Sequence, residues 1–500
     1  MKVHFVGIGG IGMSGLARIL LAQGHGVSGS DLRLSPLTDS LEAKGALIHQ
    51  GHAAANLGGA DLVVVTSAAA TDNPEVKEAV QRGIPVIKRA ELLARIMSER
   101  LGVAVAGTHG KTTTSALLAF LLDQAGLDPT IVVGGEIIDL GTNARLGQGK
   151  YVVAEADEFD GSFLRLSPHL AVVTNVDADH LDCYGSYERV VDAFAQFMDN
   201  VAPSGTIIAC ADDLGVRRAI AKMSRPVVNT GRSAEACPPS AHRLDGLGAN
   251  VRVRPGKGTT ATDRAAGPVE CRLITYGLDS DANWVTTSIS RNNRGGHDFA
   301  VSLDGEVLGV FSNALPGRHN VANSLAAIAA ASSLGVDPVS LQGALSRFRG
   351  TKRRFEVQEV AGVTIVDDYG HHPTEIRATL QAARDRFGSR RLFCVFQPHT
   401  YSRTKHLFSE FATCFEAADT LIMTDIYAAR ERDNLGVSSE GLVAAIRRPP
   451  ARYIRDLTGV AEYLLRRLAP GDVVLTVGAG DVDKVAKQIA KELAERHGEP

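Results

Sequence analysis

The chain has 500 residues, which at about 150 residues per domain suggests three domains. Its composition is 44% hydrophobic and 22% charged with a mean hydropathy of +0.01, which excludes disorder as the main state of the chain. The 53 basic residues against 56 acidic ones leave a net charge of -3, so there is no global basic field for nucleic acid or an anionic membrane. We therefore expect neither nucleic-acid binding nor membrane insertion.

Cysteine usage and the start of the chain bear on the cellular compartment. The six cysteines are scattered without a C-x-x-C pair, which argues against a disulfide framework and against a zinc ribbon. No leader with a cleavage pattern precedes the first predicted strand, and no apolar run reaches the roughly 18 residues of a membrane span. We expect a cytoplasmic protein in a reducing environment.

The first predicted unit opens with a short strand, Val3–Val6, followed by a glycine loop and an amphipathic helix. The loop places Gly7, Gly9 and Gly12 in the spacing G-x-G-x-x-G, and Asp31 follows a second apolar stretch. This dinucleotide fingerprint, taken alone, favours a nicotinamide-dependent oxidoreductase. Because the glycines let backbone N–H groups approach any diphosphate at a helix N-terminus, a nucleotide-sugar diphosphate would fit as well.

A second strand, loop and helix follow in the middle of the chain. The strand Val103–Ala106 leads into the glycine loop Gly107–Thr113, and the helix is predicted over Lys111–Gln124. The loop departs from G-x-x-x-x-G-K-[ST], since a valine stands where that pattern has its first glycine. The residues that a phosphate loop needs are nevertheless present, because Lys111 can contact the β- and γ-phosphates and the Thr112 hydroxyl can bind Mg²⁺. We predict a triphosphate site here.

Acidic side chains follow the next two buried strands. Glu155 stands at the end of the strand Tyr151–Ala154, and Asp179 and His180 follow the strand Leu170–Thr174. Strand ends are where ligands bind in open α/β sheets. Carboxylate oxygen suits Mg²⁺, whereas a lone histidine is more often structural than a ligand.

The segment 225–270 interrupts the alternation of strands and helices. It contains no aromatic residue and is rich in Pro, Gly, Ser, Thr, Ala and Arg. This composition predicts a mobile surface insertion without a core of its own rather than a dedicated binding arm.

The last part of the chain repeats the α/β pattern, with predicted strands at 363–366, 392–396, 420–423 and 473–477. Polar loops follow the first two of these strands, at Asp367–Pro373 and Gln397–Arg403. Their histidines lack further ligands at zinc spacing, so zinc is disfavoured. A cation such as Arg403 beside His399 suits a small carboxylate better.

Taken together, these motifs resemble those of the Mur ligase family across all three predicted units. Further matches are Pro316–Asn320, Arg353–Phe355 and Val477–Asp481. The expected fold is α/β in three domains: an N-terminal Rossmann-like domain, a central P-loop-type mononucleotide-binding parallel sheet and a C-terminal Rossmann-like domain. We predict their bounds as 1–98, 99–321 and 322–500.

The resemblance also implies roles for individual residues. It implies catalytic roles for Lys111, Glu155, His180 and Arg354, and a metal site at Thr112, Glu155 and His180. For ATP it implies Gly107, Thr108, His109, Gly110, Lys111, Thr112, Thr113, His319, Asn320, Asn323 and Asp368. For the UDP-sugar it implies Gly7, Gly9, Gly10, Gly12, Asp31 and Ser67. For the amino acid it implies His372, His399 and Arg403.

The implied reaction uses ATP and two Mg²⁺ ions to activate the lactyl carboxylate of UDP-N-acetylmuramate as an acyl phosphate, which L-alanine then attacks. Relatives that add later amino acids usually carry a carbamylated lysine near the position of Phe194, and no lysine occurs over 181–219. Two alternatives stay open: a ligase of the same family that attaches a preformed peptide, and the oxidoreductase. The 225–270 insertion departs from the family pattern.

Overall fold

The computed structural model of the protein describes residues 1–66, 72–229, 271–429 and 431–498. These residues form three α/β units, each built around its own sheet of mainly parallel strands. The predicted fold class is confirmed. None of the helices in the described ranges combines the length and apolar character that crossing a bilayer requires.

The first unit is a five-stranded parallel sheet in the order β3-β2-β1-β4-β5, which is a doubly wound arrangement with β1 at its centre. Its elements are β1 (Lys2–Val6), α1 (Ile11–Ala22), β2 (Gly26–Asp31), α2 (Pro36–Glu42), β3 (Leu47–Gln50), β4 (Leu62–Val65), α3 (Pro74–Gln81), β5 (Val86–Lys88) and α4 (Arg89–Ser98).

The central unit contains eleven described strands. Its elements are β6 (Leu101–Ala106), α5 (Lys111–Gln124), β7 (Thr130–Ile137), β8 (Thr142–Arg145), β9 (Tyr151–Glu155), β10 (Leu170–Val173), α6 (Leu181–Tyr184), α7 (Tyr187–Asp199), β11 (Thr206–Cys210), α8 (Leu214–Lys222), β12 (Val227–Asn229), β13 (Cys271–Gly277), β14 (Trp284–Arg291), β15 (His297–Leu303), β16 (Glu306–Ser312), α9 (Arg318–Ser333) and α10 (Leu341–Arg347).

The central strands lie in the order β16-β15-β14-β13-β11-β10-β6-β9-β7-β8, with β12 also paired to β13. The middle strands, from β13 to β7, are parallel, whereas β14 to β16 form antiparallel pairs and β8 runs antiparallel to β7. Since parallel strands end at the same edge, the loops that follow β6, β9 and β10 converge there.

The third unit is a six-stranded sheet in the order β17-β18-β22-β19-β20-β21, parallel except for its edge strand β17. Its elements are β17 (Glu356–Val360), β18 (Val363–Asp368), α11 (Pro373–Phe387), β19 (Leu392–Phe396), α12 (Tyr401–His406), α13 (Phe408–Phe411), β20 (Thr420–Met423), α14 (Ser439–Ala445), β21 (Ala451–Tyr453), α15 (Leu457–Leu465), β22 (Val473–Val477) and α16 (Asp483–His497).

Two helices, α5 and α9, are buried on almost every side and pack against each other in the central unit. A helix that is apolar all round must lie within the core. The boundary that we predict after residue 321 falls inside α9, and the same core extends through α10 to Phe348. The third sheet has separate cores on its two faces. We therefore propose that the third unit begins near residue 349.

The other predicted divisions can be located on the structure. The division after residue 98 falls between α4 and β6. The predicted insertion 225–270 lies outside the described residues apart from 225–229, in which residues 227–229 form β12 beside β13.

Candidate active site

The loop between β6 and α5 brings a helix N-terminus to the edge of the central sheet. Gly107 and Gly110 have φ angles of +143° and +77°, in the region that disfavours residues with a Cβ. A Cβ on Gly107 would lie 1.9 Å from the hydroxyl oxygen of Thr174, and one on Gly110 would lie 2.7 Å from Oδ1 of Asn323. The two glycines therefore let β10 and α9 approach the loop closely.

Lys111, the first residue of α5, is held inside this loop. Its Nζ donates to the carbonyl oxygens of Gly107 and Thr108 at 2.6 and 3.0 Å, and it lies 2.9 and 2.8 Å from the two carboxylate oxygens of Glu158. Burial raises the pKa of Glu158 to about 7, although the ammonium group opposes the shift. Burial acts to lower the pKa of Lys111, but the neighbouring carboxylates raise it, and Glu158 contributes most among them.

Thr112 and Glu155 form an oxygen-rich corner beside Lys111. The Thr112 hydroxyl donates to Oε2 of Glu155 at 2.8 Å, and the Gly134 N–H donates to the same oxygen at 2.9 Å. A Cβ on Gly134 would lie 2.4 Å from that oxygen, so the cradle requires glycine. A hydroxyl and a carboxylate are the hard oxygen donors that Mg²⁺ prefers, and these residues fit the predicted ion.

His180 lies on the far side of Glu158. Its Nε2 is 3.6 Å from Oε1 of Glu158 and 3.6 Å from Oδ2 of Asp179, and its ring meets Phe159 edge-on. Burial lowers the pKa of His180. The neutral imidazole that this favours is the form that can bind a metal ion.

The third unit contributes a cluster of rings and a guanidinium group. His371 and His399 have ring centroids 5.8 Å apart, and His399 stacks on Tyr427 at 5.7 Å. Nη1 of Arg403 lies 3.2 Å from Nδ1 of His399. Burial, and then the charge of Arg403, lower the pKa of His371 to about 3.

Arg403 also reaches the central unit, because its Nε and Nη2 donate to the Asp179 carboxylate at 3.1 and 3.3 Å. Both side chains are more than nine-tenths buried. Burial favours the neutral acid, yet the guanidinium group holds the pKa of Asp179 well below its usual range. The predicted carboxylate-binding arginine therefore already contacts a carboxylate of the protein.

The structure does not bring His372 to this cluster. His372 caps α11, with its Nδ1 accepting the Thr374 N–H at 3.3 Å, and its ring centroid lies 4.8 Å from that of His109. The adjacent residue, His371, points to His399 instead. Two neighbouring histidines carry no sequence signal of which one faces the site, and the role of His372 in binding the amino acid stays a prediction.

His109 joins the phosphate loop to the third unit. Its Nε2 lies 3.1 Å from Asp177 and its Nδ1 lies 3.3 Å from Glu375. Burial opposes the charged imidazole, but these two carboxylates raise the pKa of His109 to about 9. Among the described residues, His109, Asp177 and His372 form a group that could hold a metal ion. We assign no ion there, because both nitrogens of His109 already face carboxylates.

Three of the predicted ATP-site residues, His319, Asn320 and Asn323, lie in α9. Asn323 abuts Gly110 and donates to Oδ1 of Asn320 at 3.1 Å, whereas His319 is exposed. None of these three residues lines the large cavity described below.

Two further predicted residues lie in the third unit. The Asp368 carboxylate accepts the N–H groups of Phe355 and Gly370 at 2.9 and 2.8 Å, which braces the chain where it enters this unit. Arg354 stacks over Tyr369 and lies 4.0 Å from Glu375. Arg354 lines the large cavity, whereas Asp368 does not.

In the first unit, the predicted glycine loop opens α1 as expected. The Gly9 N–H donates to Oδ2 of Asp31 at 2.9 Å, and a Cβ on Gly9 would meet that oxygen at the same distance. A Cβ on Gly12 would lie 3.2 Å from the guanidinium of Arg89, which in turn lies 3.3 Å from Asp157 of the central unit. Ser67 lies outside the described residues.

One cavity of about 1460 Å³ connects these groups. The cavity is lined by Gly10 and Gly12 of the first unit, by Lys111 and Glu155 of the central unit, and by the His371, His399 and Arg403 cluster of the third unit. Three sheet edges therefore meet around a single space large enough for several substrates at once.

The sequence pattern did not single out Arg89 and Glu375, which line this cavity, or Glu158, which contacts Lys111 beside it. Glu158 follows a buried strand within the same acidic run as Glu155, which is a signal that could have found it. Arg89 and Glu375 lie in the first turns of α4 and α11, and nothing in their local pattern distinguishes them from ordinary helix-end charges.

Comparison with known proteins identifies the family to which this three-unit architecture belongs. Three family models match in chain order: "Mur ligase family, catalytic domain" over residues 2–101, "Mur ligase middle domain" over 105–254 and 256–331, and "Mur ligase, glutamate ligase domain" over 353–480. The fold and the phosphate loop define an ATP-dependent ligase that forms amide bonds. The chain belongs to the Mur ligase family.

Curated relatives match over the full length. A UDP-N-acetylmuramate--L-alanine ligase of Geotalea daltonii is 46% identical over 99% of this chain and 98% of its own. The protein of the same name from Solidesulfovibrio magneticus is 46% identical over 97% of this chain and 96% of its own. These relatives are ligases, which contradicts the oxidoreductase alternative.

A solved structure agrees with the fold. The crystal structure of UDP-N-acetylmuramate-alanine ligase from Thermotoga maritima superposes with a TM-score of 0.77 at 28% identity, and the match covers 99% of this chain and 100% of that one. The match spans all three units.

Proposed function

We propose that this enzyme joins the amino group of L-alanine to the lactyl carboxylate of UDP-N-acetylmuramate and converts ATP to ADP and phosphate. The observation that carries the proposal is the single cavity in which the first glycine loop, the phosphate loop and the His371, His399 and Arg403 cluster meet. Such a cavity allows three substrates to bind side by side. The names of the full-length relatives support the same substrates.

The nucleotide is proposed to bind at the loop Gly107–Thr113. Free N–H groups at the start of α5 and the ammonium group of Lys111 are suited to phosphate oxygens. The Lys111 ammonium group lies 2.8 Å from the Glu158 carboxylate. An incoming phosphate would therefore replace a protein carboxylate as the partner of Lys111.

Magnesium is proposed to bind at Thr112 and Glu155, with His180 reaching a second ion as the family resemblance implies. When bound, the ions would neutralise negative charge on the transferring phosphoryl group. The hydroxyl and carboxylate oxygens of Thr112 and Glu155, held 2.8 Å apart with help from Gly134, support the first of these sites.

The UDP-sugar is proposed to bind across the first glycine loop. Its diphosphate would meet the N–H groups at the start of α1, where the helix dipole favours negative charge. Gly10 and Gly12 line the cavity together with Arg89, whose guanidinium adds a positive charge at the same place.

The amino acid is proposed to bind at Arg403 and His399, with His371 completing the pocket. A carboxylate is the natural partner of a guanidinium group. Because Asp179 holds Arg403 at 3.1 Å in this structure, binding of the amino acid must share or exchange that contact.

The proposed chemistry has two steps. A lactyl carboxylate oxygen attacks the γ-phosphorus of ATP, which forms an acyl phosphate and releases ADP. The neutral amine of L-alanine then attacks the acyl carbon, and the amide forms as phosphate leaves and the amine loses a proton. Enclosure by three units keeps water from the acyl phosphate.

The proposed compartment is the cytoplasm. No disulfide joins any two of the cysteines that the structure describes. Reduced thiols are typical of a reducing compartment.

The direct test measures phosphate release and product mass with purified enzyme. Release should require ATP, Mg²⁺, UDP-N-acetylmuramate and L-alanine together, and the product should have the mass of the sugar nucleotide plus alanine less water. Omission of each component in turn is the control. An inert enzyme with all four components present would reject the proposal.

The same assay separates L-alanine from a preformed peptide as the amine. Under the proposal, a tripeptide that begins with L-alanine should neither replace nor strongly inhibit free L-alanine. Relatives that add later amino acids are expected to carry a carbamylated lysine near the position of Phe194. In this chain Phe194 is fully buried and belongs to an aromatic cluster with Phe163 and Phe197. This supports the first amino-acid addition.

A further inference from the structure

Glu375 lies where the third unit touches the phosphate loop, and its two oxygens face different units. Oε2 accepts the N–H groups of His371 and His372 at 2.9 and 3.2 Å. Oε1 lies 3.3 Å from Nδ1 of His109 in the central unit. The side chain is only 13% exposed, so both contacts are largely shielded from water.

Part of this arrangement is ordinary helix capping. Glu375 is the third residue of α11, and its bond to the N–H of His372 forms a capping box with that residue. Capping needs one oxygen only. It explains neither the contact of the second oxygen with His109 nor the additional bond to the N–H of His371.

His109 is held firmly in the phosphate loop. Its N–H donates to Oδ1 of Asn175 at 2.8 Å, and its carbonyl oxygen accepts the Thr174 hydroxyl at 2.6 Å. Its Nε2 faces Asp177, so both ring nitrogens face carboxylates and both act as donors. His109 therefore presents a fixed positive charge to Glu375, two residues before Lys111.

His371 is the other end of the connection. Its ring lies in the proposed amino-acid pocket, 5.8 Å from the ring of His399, and its Nδ1 lies 3.1 Å from the carbonyl oxygen of Tyr369. Its backbone N–H is bonded to Glu375. The placement of this ring therefore depends on where Glu375 is held.

We propose that Glu375 is a positioning residue that ties His371 of the amino-acid pocket to the phosphate loop through His109. The inference rests on the proposed function. In this role Glu375 acts through His371 and His109 and sets the distance between the two sites. Loosening it should impair use of the amino acid more than use of the nucleotide.

Steady-state kinetics of Glu375→Gln, His109→Gln and the double variant test the proposal. The amide of Glu375→Gln can still accept the two N–H groups, but it loses the charge that His109 faces. For Glu375→Gln we expect the KM for L-alanine to rise about tenfold, while the KM for ATP and kcat at saturating L-alanine stay within about twofold. For His109→Gln, at a residue of the proposed nucleotide loop, the expectation concerns the KM for L-alanine alone, which should rise by a similar factor. The double variant should be no worse for L-alanine than the worse single variant, because both break one connection.

Asp456→Ala is the matched control, since Asp456 caps α15 of the same unit by accepting the Gly459 N–H at 2.8 Å. It should lower the melting temperature without changing the KM for L-alanine. An unchanged KM for L-alanine in Glu375→Gln would overturn the proposal. So would equal losses for both substrates, or additive effects in the double variant.

Amide hydrogen exchange gives a readout independent of turnover. His109→Gln should speed exchange at the N–H groups of His371 and His372, although the substitution lies in another unit, while Asp456→Ala should leave these two sites unchanged. Unaltered exchange in His109→Gln would overturn the proposal. A wild-type enzyme that forms no amide would instead reject the proposed function, whatever the exchange result.

Discussion

The two glycine loops of this protein have the same local architecture and opposite charge environments. Each connects the end of a central parallel strand to a helix N-terminus, at Gly7–Gly12 before α1 and at Gly107–Thr113 before α5. In the first loop, a carboxylate, Asp31, accepts a loop N–H at 2.9 Å. In the second, an ammonium group, Lys111, is enclosed by two loop carbonyl oxygens and Glu158.

This difference shows that the backbone motif alone does not determine which ligand a loop binds. A helix N-terminus attracts phosphate in either loop. The acid in the first loop suits hydroxyl groups of a ribose, whereas the lysine in the second suits the greater negative charge of a triphosphate. A glycine pattern that resembles a dehydrogenase fingerprint therefore serves a ligase here.

Removal of Lys111, the cation that distinguishes the second loop from the first, should have the largest effect on activity. Lys111→Ala deletes the cation of the second loop, and we expect kcat to fall by about 10² to 10³, as for loss of a preorganised electrostatic contact. Phosphate release under saturating substrates measures the effect. Lys150→Ala, at an exposed lysine beside the same sheet, is the control and should keep full activity. Near-normal turnover of Lys111→Ala would remove Lys111 from the mechanism.

Adding one methyl group to each loop should separate the two ligands. A Cβ on Gly9 would press on Asp31 at 2.9 Å, and one on Gly110 would press on Asn323 at 2.7 Å. We expect Gly9→Ala to raise the KM for the UDP-sugar, and Gly110→Ala the KM for ATP, each by about tenfold, or about 1.4 kcal/mol. Each variant should leave the other substrate's KM within about twofold.

The control for these two variants is Gly24→Ala, at a glycine with φ of +82° and no atom within 4 Å of its would-be Cβ. It should lower stability through backbone strain and change neither KM. If both loop variants raised both KM values equally, the division of ligands between the loops would be wrong.

Much of the fold could be predicted because hydrophobic runs and glycines mark its elements. The helix α5 begins and ends where the pattern predicts, at Lys111 and Gln124, and the four predicted strands of the third sheet are found, whereas its edge strands β17 and β21 were not predicted. The boundary after residue 321 could not be placed from sequence, because α9 is Ala-rich and reads equally well as an opening helix of the next unit. Its packing on α5 supports our proposal that it belongs to the central unit.

The candidate site was predictable where a residue type and a strand end coincide, as at Lys111, Glu155 and Arg403. Choices between neighbours were not predictable. His371 and His372 are adjacent, and only the direction of α11 decides which ring faces the cavity. The partner of Lys111 is Glu158 rather than Glu155, since the turn after β9 returns the third residue toward the loop.

Replacement of Glu158 by a neutral residue tests whether Lys111 of the second loop exchanges this carboxylate for phosphate. Glu158→Gln removes the carboxylate that contacts Lys111, and we expect the enzyme without added nucleotide to lose about 3 kcal/mol of stability. ADP with Mg²⁺ should restore much of the loss, because phosphate replaces the missing negative charge. Thermal unfolding with and without nucleotide measures both effects. Equal losses in the two conditions would show that Lys111 does not exchange its partner.

The smallest expected effect concerns pH, through His109 of the second loop. Its pKa is raised from 6.5 to about 9, so its contribution to stability is fully present below pH 6.5 and is lost as the pH rises through 9. The facing carboxylates, Asp177 and Glu375, have lowered pKa values and stay ionised over this range, while burial keeps the neighbouring His372 neutral by lowering its pKa.

The melting temperature of the wild-type enzyme should therefore fall between pH 7 and 9.5 by more than that of His109→Gln, which has no proton to lose at this position. The difference between the two curves isolates His109, because every other titrating group is common to both proteins. Parallel curves would mean that the imidazole carries no stabilising charge. In that case the second loop would contact the third unit through neutral hydrogen bonds, and only Lys111 would distinguish its charge from that of the first loop.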